Sequence, residues 1–186
     1  MVNLSYNVTC MKFILPIIAN CMVILYSSES NAYLSASPNP TTMQVPDSSQ
    51  YVILSFHPSA TWIFQDVQPA ALDSADLMAI EQLISESIKE YNTTQVKALE
   101  KLKEKDPNAT VHKGEYVIDF TTYKRQYVAI INKKGEKEVW VNCFCMDLKN
   151  WRTEIVQVMD GGNCFFHLKI NLSKKTYYEL SVNGMG

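Results

Sequence analysis

Residues 138–146 read EVWVNCFCM, a stretch rich in the β-branched and aromatic residues that strands favour. Successive side chains of a strand point to opposite faces, so a period of two separates the stretch into two sets. The small apolar residues all fall on one face: Val139, Val141, Cys143 and Cys145. We therefore predict a strand whose small apolar face lies in the core.

Similar alternation extends to both sides of this stretch. The candidate strands are 115–120, 126–132, 138–146, 154–159, 164–170 and 176–182. Residues 133–136 (KKGE) and 160–163 (DGGN) are typical of tight turns because glycine stands beside lysine, aspartate or asparagine. Connections this short join antiparallel neighbours, so we expect these strands to form a meander.

The clearest helix of the chain precedes most of these strands and begins near residue 73. Its apolar residues recur at steps of three and four: Leu77, Ile80, Ile84, Ile88 and Tyr91. Asp73 followed by Asp76 resembles a capping box, with negative charge where the helix dipole favours it. Residues 92–94 (NTT) are expected to interrupt or end the helix. The apolar period then resumes to about residue 105, where Pro107 stops it.

One long helix followed by a run of hairpins, without regular strand–helix alternation, indicates the α+β class. We expect a single domain over residues 51–186, with the helix packed across one face of a curved antiparallel sheet. Two further strands, 51–56 and 61–64, are predicted ahead of the helix. Cystatin-like and nuclear-transport-factor-like folds share this outline, and this similarity of architecture implies no particular activity.

Residues 1–32 have the three parts of a secretory signal peptide. Lys12 precedes an apolar run over 13–26, and small polar residues follow it up to a cut that would leave Tyr33 first. The first ten residues carry no charge, so Met11 is an alternative start. The run is shorter than the roughly 18–20 apolar residues that span a bilayer, so we expect no transmembrane span.

Two alternatives to a cut before Tyr33 remain open: a cut before Cys21 with a lipid anchor on that residue, and a buried N-terminal helix without cleavage. Asn20 stands directly before Cys21, where a lipid-attachment signal has a small residue, and this disfavours the anchor. Residues 33–50 contain three prolines among serine, threonine and asparagine, which indicates an extended linker.

The composition excludes several classes of protein. The chain is 47% hydrophobic and 19% charged, as globular proteins are. A net charge of −2 provides no basic field to attract nucleic acid, so we expect no nucleic-acid partner. No phosphate-binding, hydrolase or metalloprotease motif is present, and we predict no cofactor and no catalytic residue.

Cys143, Cys145 and Cys164 remain after signal cleavage, and their parity places all three on the core face. We predict buried thiols that bind no metal and take no part in catalysis. His167 cannot share an ion with Cys164, because an odd separation on one strand points them to opposite faces. A disulfide from Cys164 to Cys143 or Cys145 is left open. In a simple meander, strand 154–159 would hold the two cysteine-bearing strands about 9.6 Å apart, which is too far for a disulfide.

Four residues are candidates for ligand binding: Arg125, Tyr127, Trp140 and Phe165. Arg125 stands among aromatic residues, a setting that suits a carboxylate or a stacked ring. Trp140 and Phe165 fall on the strand faces opposite the core. Aromatic residues there would give the sheet a binding surface, unless a second layer covers that face.

Four short segments of the C-terminal half stand out together: 123–127 (YKRQY), 139–145 (VWVNCFC), 160–162 (DGG) and 182–184 (VNG). Through these segments, the C-terminal half resembles a group of small exported bacterial proteins with no assigned activity. The resemblance implies bacterial export and a shared fold, and it supplies no functional residue.

The sequence thus favours an exported non-catalytic module, periplasmic or extracellular, with a binding or structural role. Its partner would be a peptide, a glycan or an envelope protein. The alternative is a small enzyme with a pocket between the helix and a cone-shaped sheet. That enzyme would need a carboxylate or histidine that points inward.

Overall fold

The computed structural model describes residues 46–184, in which one long helix packs against a sheet of six strands. The helix is α1 (Ser74–Lys105), and the strands are β1 (Tyr51–Leu54), β2 (Gln68–Pro69), β3 (Lys124–Ile131), β4 (Lys137–Phe144), β5 (Phe165–Asn171) and β6 (Thr176–Val182). The strand order is β1-β3-β4-β5-β6, and β2 pairs with β3 beyond the end of β1. The predicted α+β class is confirmed.

Strands β3 to β6 form an antiparallel meander, each paired with the next along the chain. They confirm four of the predicted strands to within about two residues at each end, the accuracy expected of strand boundaries: 126–132, 138–146, 164–170 and 176–182. The period of two was sufficient here because one face of each strand lies against the helix.

β1 adds one parallel pair to this otherwise antiparallel sheet. Tyr51 lies opposite Arg125 of β3, and the chain between them includes α1 as the crossover that a parallel pair requires. The strand predicted over 61–64 is wrong, because this segment forms turns. Its apolar residues Ile63 and Phe64 are nevertheless buried against the sheet.

α1 begins with the predicted capping box. The N–H of Asp76 donates to Asp73 Oδ1 at 2.8 Å, and the N–H of Asp73 donates to Asp76 Oδ2 at 3.1 Å. The predicted end at residue 105 is also confirmed, whereas the predicted interruption at 92–94 is wrong. The Asn92 side chain accepts from the N–H of Ile118 at 2.8 Å and donates to its carbonyl at 2.9 Å. Because Asn92 finds these partners outside the helix, it does not compete for the helical backbone.

Two further predicted strands, 115–120 and 154–159, do not form. Residues 115–120 lie between two short 3₁₀ turns, Lys113–Glu115 and Phe120–Thr122. Residues 154–159 run along the sheet without joining a ladder. As a result, β4 and β5 are direct neighbours.

Both faces of the sheet are covered. The inner face packs on α1 and forms one core with it, to which α1 contributes Leu77, Ile80 and Ile84 and the sheet contributes Tyr127, Val141, Phe166 and Leu168. The outer face lies under segments 56–64 and 148–158, which bury two smaller clusters: Phe56, Ile63, Phe64, Val128 and Trp140, and then Phe144, Trp151 and Phe165. The predicted core face is confirmed for Val139, Val141 and Cys143. It is wrong for Cys145, which is exposed beyond the end of β4, and for Cys164, which packs against the outer cluster. The opposite face has a second core of its own.

The predictions for the N-terminal region lie outside the described residues: the signal peptide 1–32, the start at Met11, the anchor at Cys21 and the linker as far as residue 45. The last residues of the predicted linker form a turn before β1, and the carbonyl of Gln50 accepts from the N–H of Arg125 at 2.9 Å. Between residues 46 and 184, no helix has an apolar stretch long enough to cross a bilayer.

Candidate functional site

The four predicted ligand-binding residues are all buried and are divided between the two faces of the sheet. Arg125 and Tyr127 lie on the inner face, in contact with α1. Trp140 and Phe165 lie on the outer face, where they are 3% and 7% exposed. The outer layer thus removes the open aromatic surface that the sequence suggested, and the four residues do not form one site.

Arg125 and Tyr127 meet Glu81 of α1 inside the inner core. The Tyr127 hydroxyl donates to Glu81 Oε1 at 2.5 Å, and Arg125 Nε lies 3.1 Å from the same oxygen. The Arg125 Nε–H does not point at an acceptor, so its attraction to Glu81 is ionic without a hydrogen bond. Burial, followed by the Glu81 carboxylate, raises the pKa of Tyr127 well above its ordinary value. This network joins the helix to the sheet.

The inner core is not arranged for catalysis, although it contains a carboxylate and a thiol. Glu81 points inward, as the enzyme hypothesis requires, but Arg125 and Tyr127 already engage it. Cys143 lies opposite Arg125 across the β3–β4 pair and is fully buried. Burial raises the pKa of the Cys143 thiol far above its ordinary value, so the reactive thiolate does not form near neutral pH.

Cys145 and Cys164 form a disulfide, with their Cα atoms 5.0 Å apart. The prediction of three buried free thiols is therefore wrong for these two and confirmed for Cys143. The expected separation of the two cysteine-bearing strands does not occur, because residues 154–159 do not form a strand between them. Cys145 directly follows β4 and Cys164 directly precedes β5, and these two strand ends are paired. In the described part of the chain, no three His, Cys, Asp or Glu side chains are placed to hold a metal ion.

A cavity of about 290 Å³ opens on the outer face beside Trp140 and Phe165. Its floor is formed by β4 and β5, which contribute Asn142 and His167. Trp62 borders one side of the cavity, and the irregular segment 156–159 borders another. Two of the four predicted ligand-binding residues, Trp140 and Phe165, therefore line one concave site.

The mouth of this cavity is aromatic and apolar. The rings of Trp62 and Trp140 meet edge to face, with centroids 5.4 Å apart and planes at 87°. Trp140 in turn contacts the His167 ring, at a centroid distance of 6.1 Å. Trp62 is 54% exposed and Met159 is 96% exposed, so large apolar surfaces face solvent at the rim. Exposed apolar groups gathered around a concavity are typical of binding sites.

Side-chain amides hold the wall of the cavity against the sheet. Asn142 Nδ2 donates to Gln126 Oε1 at 3.0 Å and to the carbonyl of Val156 at 2.9 Å. Asn183 Nδ2 donates to the carbonyls of Val158 at 2.6 Å and Asp160 at 2.9 Å. These bonds replace the ladder that a strand over 154–159 would have made, and they keep the wall in place without a ligand.

The polar groups left free at the cavity are uncharged. The Oδ1 atoms of Asn142 and Asn183 accept no hydrogen bond from the described residues, and Gln157 is exposed at the wall. Burial, followed by the Lys169 ammonium, lowers the pKa of His167 from its ordinary 6.5. The imidazole is therefore neutral at pH 7 and offers one donor and one acceptor.

No family model, curated protein or solved structure gives a significant match to this chain. The geometry of the described residues therefore carries the functional argument without support from relatives.

Two principal residues of the cavity, Trp62 and His167, are not among the ligand-binding residues predicted from the sequence. Strand parity already placed His167 on the same face as Phe165, so this half of the site was visible in the sequence pattern. Trp62 carried no such signal, because it reaches Trp140 only when the loop before α1 folds back over the sheet.

Proposed function

We propose that this protein is an exported, non-catalytic binding module whose ligand site is the cavity on the outer face of the sheet. The observation that carries the proposal is the exposed Trp62 ring standing over Trp140 at the mouth of a preformed concavity. An apolar cavity with a few convergent polar groups is the usual form of a ligand site. The described residues that line the cavity include one imidazole and no carboxylate, a lining that favours binding over acid–base catalysis.

The Cys145–Cys164 disulfide supports export. Disulfides persist in oxidising compartments and are rare in a reducing cytosol. The apolar run and small-residue exit of residues 1–32 point to the same route. The partner of an exported module of this kind would be a peptide, a glycan or an envelope protein.

The three tryptophans of the chain provide a direct test of the site. Trp62 and Trp140 border the cavity, whereas Trp151 packs in the separate cluster with Phe144. We would titrate the protein with chitotriose and with a blocked neutral leucine tripeptide, each at millimolar concentration, and record the indole N–H signals by NMR. We expect at least one probe to move the signals of Trp62 and Trp140 and to leave that of Trp151 in place.

The matched variants are Trp62→Ala and Met146→Ala, since both residues are large, apolar and about half exposed but only Trp62 borders the cavity. We expect Trp62→Ala to abolish the shift of the Trp140 signal on addition of the probe. Met146→Ala should retain the shifts of both the Trp62 and the Trp140 signals. If chitotriose, cellotriose, maltotriose and the leucine tripeptide all fail to move the two indole signals, or if Met146→Ala has the same effect as Trp62→Ala, the outer cavity is not the ligand site.

A further inference from the structure

Of the two indole rings at the cavity, Trp62 offers an exposed stacking surface and Trp140 lies beside it. The exposed Trp62 ring stands nearly perpendicular to Trp140, at 87°. A pyranose ring carries C–H groups on its faces and hydroxyl groups around its edge. One face of such a ring packs on an indole, and the perpendicular second indole then limits where the sugar can lie.

The free polar groups match hydroxyls. Asn142 and Asn183 each present a free acceptor oxygen. Gln157 presents the carbonyl oxygen and the NH2 group of its amide, and neutral His167 presents a donor and an acceptor. Hydroxyl groups donate and accept in the same way, so a sugar satisfies both kinds of partner. A purely apolar ligand would displace water from these polar groups and give them no hydrogen bond in its place.

Among the described residues, no Lys, Arg, Asp or Glu side chain lines the cavity. Lys169 lies opposite Trp140 in the β4–β5 pair, and its ammonium lies 2.8 Å from Glu179 and over the ring of Phe64 at 5.2 Å. It is therefore already engaged by its own neighbours. A carboxylate or an ammonium ion entering the cavity would lose hydration without an opposite charge in return.

The cavity is also poorly suited to an extended peptide. Peptides that bind as added strands pair with an unpaired sheet edge, whereas this cavity lies on a sheet face between β4, β5 and a loop. The wall carbonyls of Val156, Val158 and Asp160 already accept hydrogen bonds from Asn142 and Asn183. Little backbone remains at the wall for main-chain pairing.

The geometry points to an uncharged glycan as the ligand, with one pyranose ring stacked on Trp62 and its hydroxyls bonded to Gln157 and His167. This inference rests on the binding function proposed above and names its ligand class. A cavity of about 290 Å³ is near the lower limit for ligand sites, so it takes one ring while the rest of the glycan extends over the exposed rim.

The test compares neutral glycans with a neutral peptide on the intact protein. Chitotriose, cellotriose and maltotriose are titrated separately, beside the blocked leucine tripeptide, and Kd is read from the Trp62 and Trp140 indole signals. We expect at least one trisaccharide to bind and the tripeptide not to. Trp62→Ala should weaken that trisaccharide by about tenfold or more, because the stacked face is lost. Trp62→Phe keeps an aromatic face and should recover part of the affinity.

Because Trp62 is 54% exposed, its replacement should leave the fold intact, and unchanged circular dichroism and denaturant midpoints would verify this. Gln157→Ala changes an exposed hydrogen-bonding side chain without touching the aromatic rings, and it should also weaken the trisaccharide. Met146→Ala is the control and should bind as the wild type does.

The outcomes separate the two proposals. Binding of the tripeptide alone at Trp62 and Trp140 overturns the glycan inference and leaves the binding function standing. Binding of no probe overturns both. A trisaccharide that binds Trp62→Ala as tightly as the wild type is held elsewhere, and this also overturns the inference.

Discussion

At the scale of single residues, side-chain amides form the hydrogen bonds to backbone groups that neighbouring strands form elsewhere in this fold. Gln126 is fully buried on the outer face and lies opposite Asn142 in the β3–β4 pair. Its Nε2 donates to the carbonyls of Trp151 at 2.5 Å and Glu154 at 2.7 Å, and its Oε1 accepts from the N–H of Val156 at 2.9 Å. A single glutamine thus satisfies three backbone groups of an irregular segment.

We predict that Gln126→Leu lowers the free energy of unfolding by about 2–4 kcal/mol, because it leaves several buried polar groups without partners. Denaturant melts measure the loss, and hydrogen exchange should show faster exchange of the Val156 amide. Gln65→Leu is the matched control, since Gln65 is exposed. Equal stability of the two variants would show that segment 151–156 is held by other contacts.

The half-buried His167 makes stability depend on pH. Burial and the Lys169 ammonium lower its pKa in the folded protein below the 6.5 of an exposed histidine. The unfolded chain therefore binds the proton more readily, and acid favours unfolding. The stability that depends on neutral His167 is complete above about pH 6.5 and is lost as the pH falls toward the folded-state pKa.

We predict that the urea midpoint of the wild type falls between about pH 7.5 and pH 5.5, and that His167→Gln flattens this change. The other histidines are present in both proteins and cancel in the comparison. Glu136 titrates in a separate window, because its pKa is lowered to about 2 by hydrogen bonds from Lys174, Asn132 and Asn171. Parallel pH profiles for wild type and variant would show that His167 does not titrate in this way.

At the scale of the element, the connection between β4 and β5 is the part of the fold that departs most from the predicted meander. It is a long loop whose two ends lie side by side, and the Cys145–Cys164 disulfide joins them next to the ends of the two strands. The loop carries Trp151 into the outer core and supplies residues 156–159 to the cavity wall.

We predict that the double variant Cys145→Ser with Cys164→Ser loses about 3 kcal/mol of stability, the loop-closure value for a separation of 19 residues. Reducing agent should cause a similar loss in the wild type and no further loss in the double variant. Intact mass should show the native protein lighter than the reduced protein by two hydrogen atoms. A wild type that reducing agent does not destabilise would contradict the prediction.

At the scale of the whole molecule, the described domain consists of a helix, a sheet and an outer layer of loops. Burial of a large apolar side chain contributes about 1.5–3 kcal/mol, so the outer residues Trp140, Phe144 and Phe165 stabilise the loop layer substantially. The outer layer covers the sheet incompletely, and the cavity beside Trp62 is the gap that it leaves. The proposed function depends on this gap.

Export is tested on the whole chain. We predict that protein produced in a Gram-negative host is recovered outside the cytoplasm with Tyr33 as its first residue, as mass spectrometry of the N-terminus would show. Ala32→Tyr places a large residue directly before the cut and should block processing. Cytoplasmic protein that begins at Met1 or Met11 would contradict export, and a lipid on Cys21 would support the anchored alternative.

The sequence by itself determined the parts of this protein whose signals are local. The three- and four-residue period predicted α1 apart from the expected break at 92–94, Asp73 and Asp76 predicted its start, and the period of two predicted β3 to β6. The inner faces of β4 and β5 followed from the same period, but an irregularity in the β5–β6 pairing places Tyr177, and not the expected Tyr178, on the inner face of β6. These patterns work because each element buries one face against a single neighbouring layer. The inward parity of Cys143 followed from the same rule and is confirmed.

Only the tertiary structure decided the features that join distant parts of the chain. The parallel pairing of β1, the bonds from Gln126 to segment 151–156, the Cys145–Cys164 disulfide and the contact of Trp62 with Trp140 are all of this kind. Segment 154–159 has the composition of a strand, but the side chains of Gln126 and Asn142 form hydrogen bonds with its backbone in place of a neighbouring strand. The candidate site is built almost entirely from such contacts, so the sequence indicated its floor and the tertiary fold decided its mouth and wall.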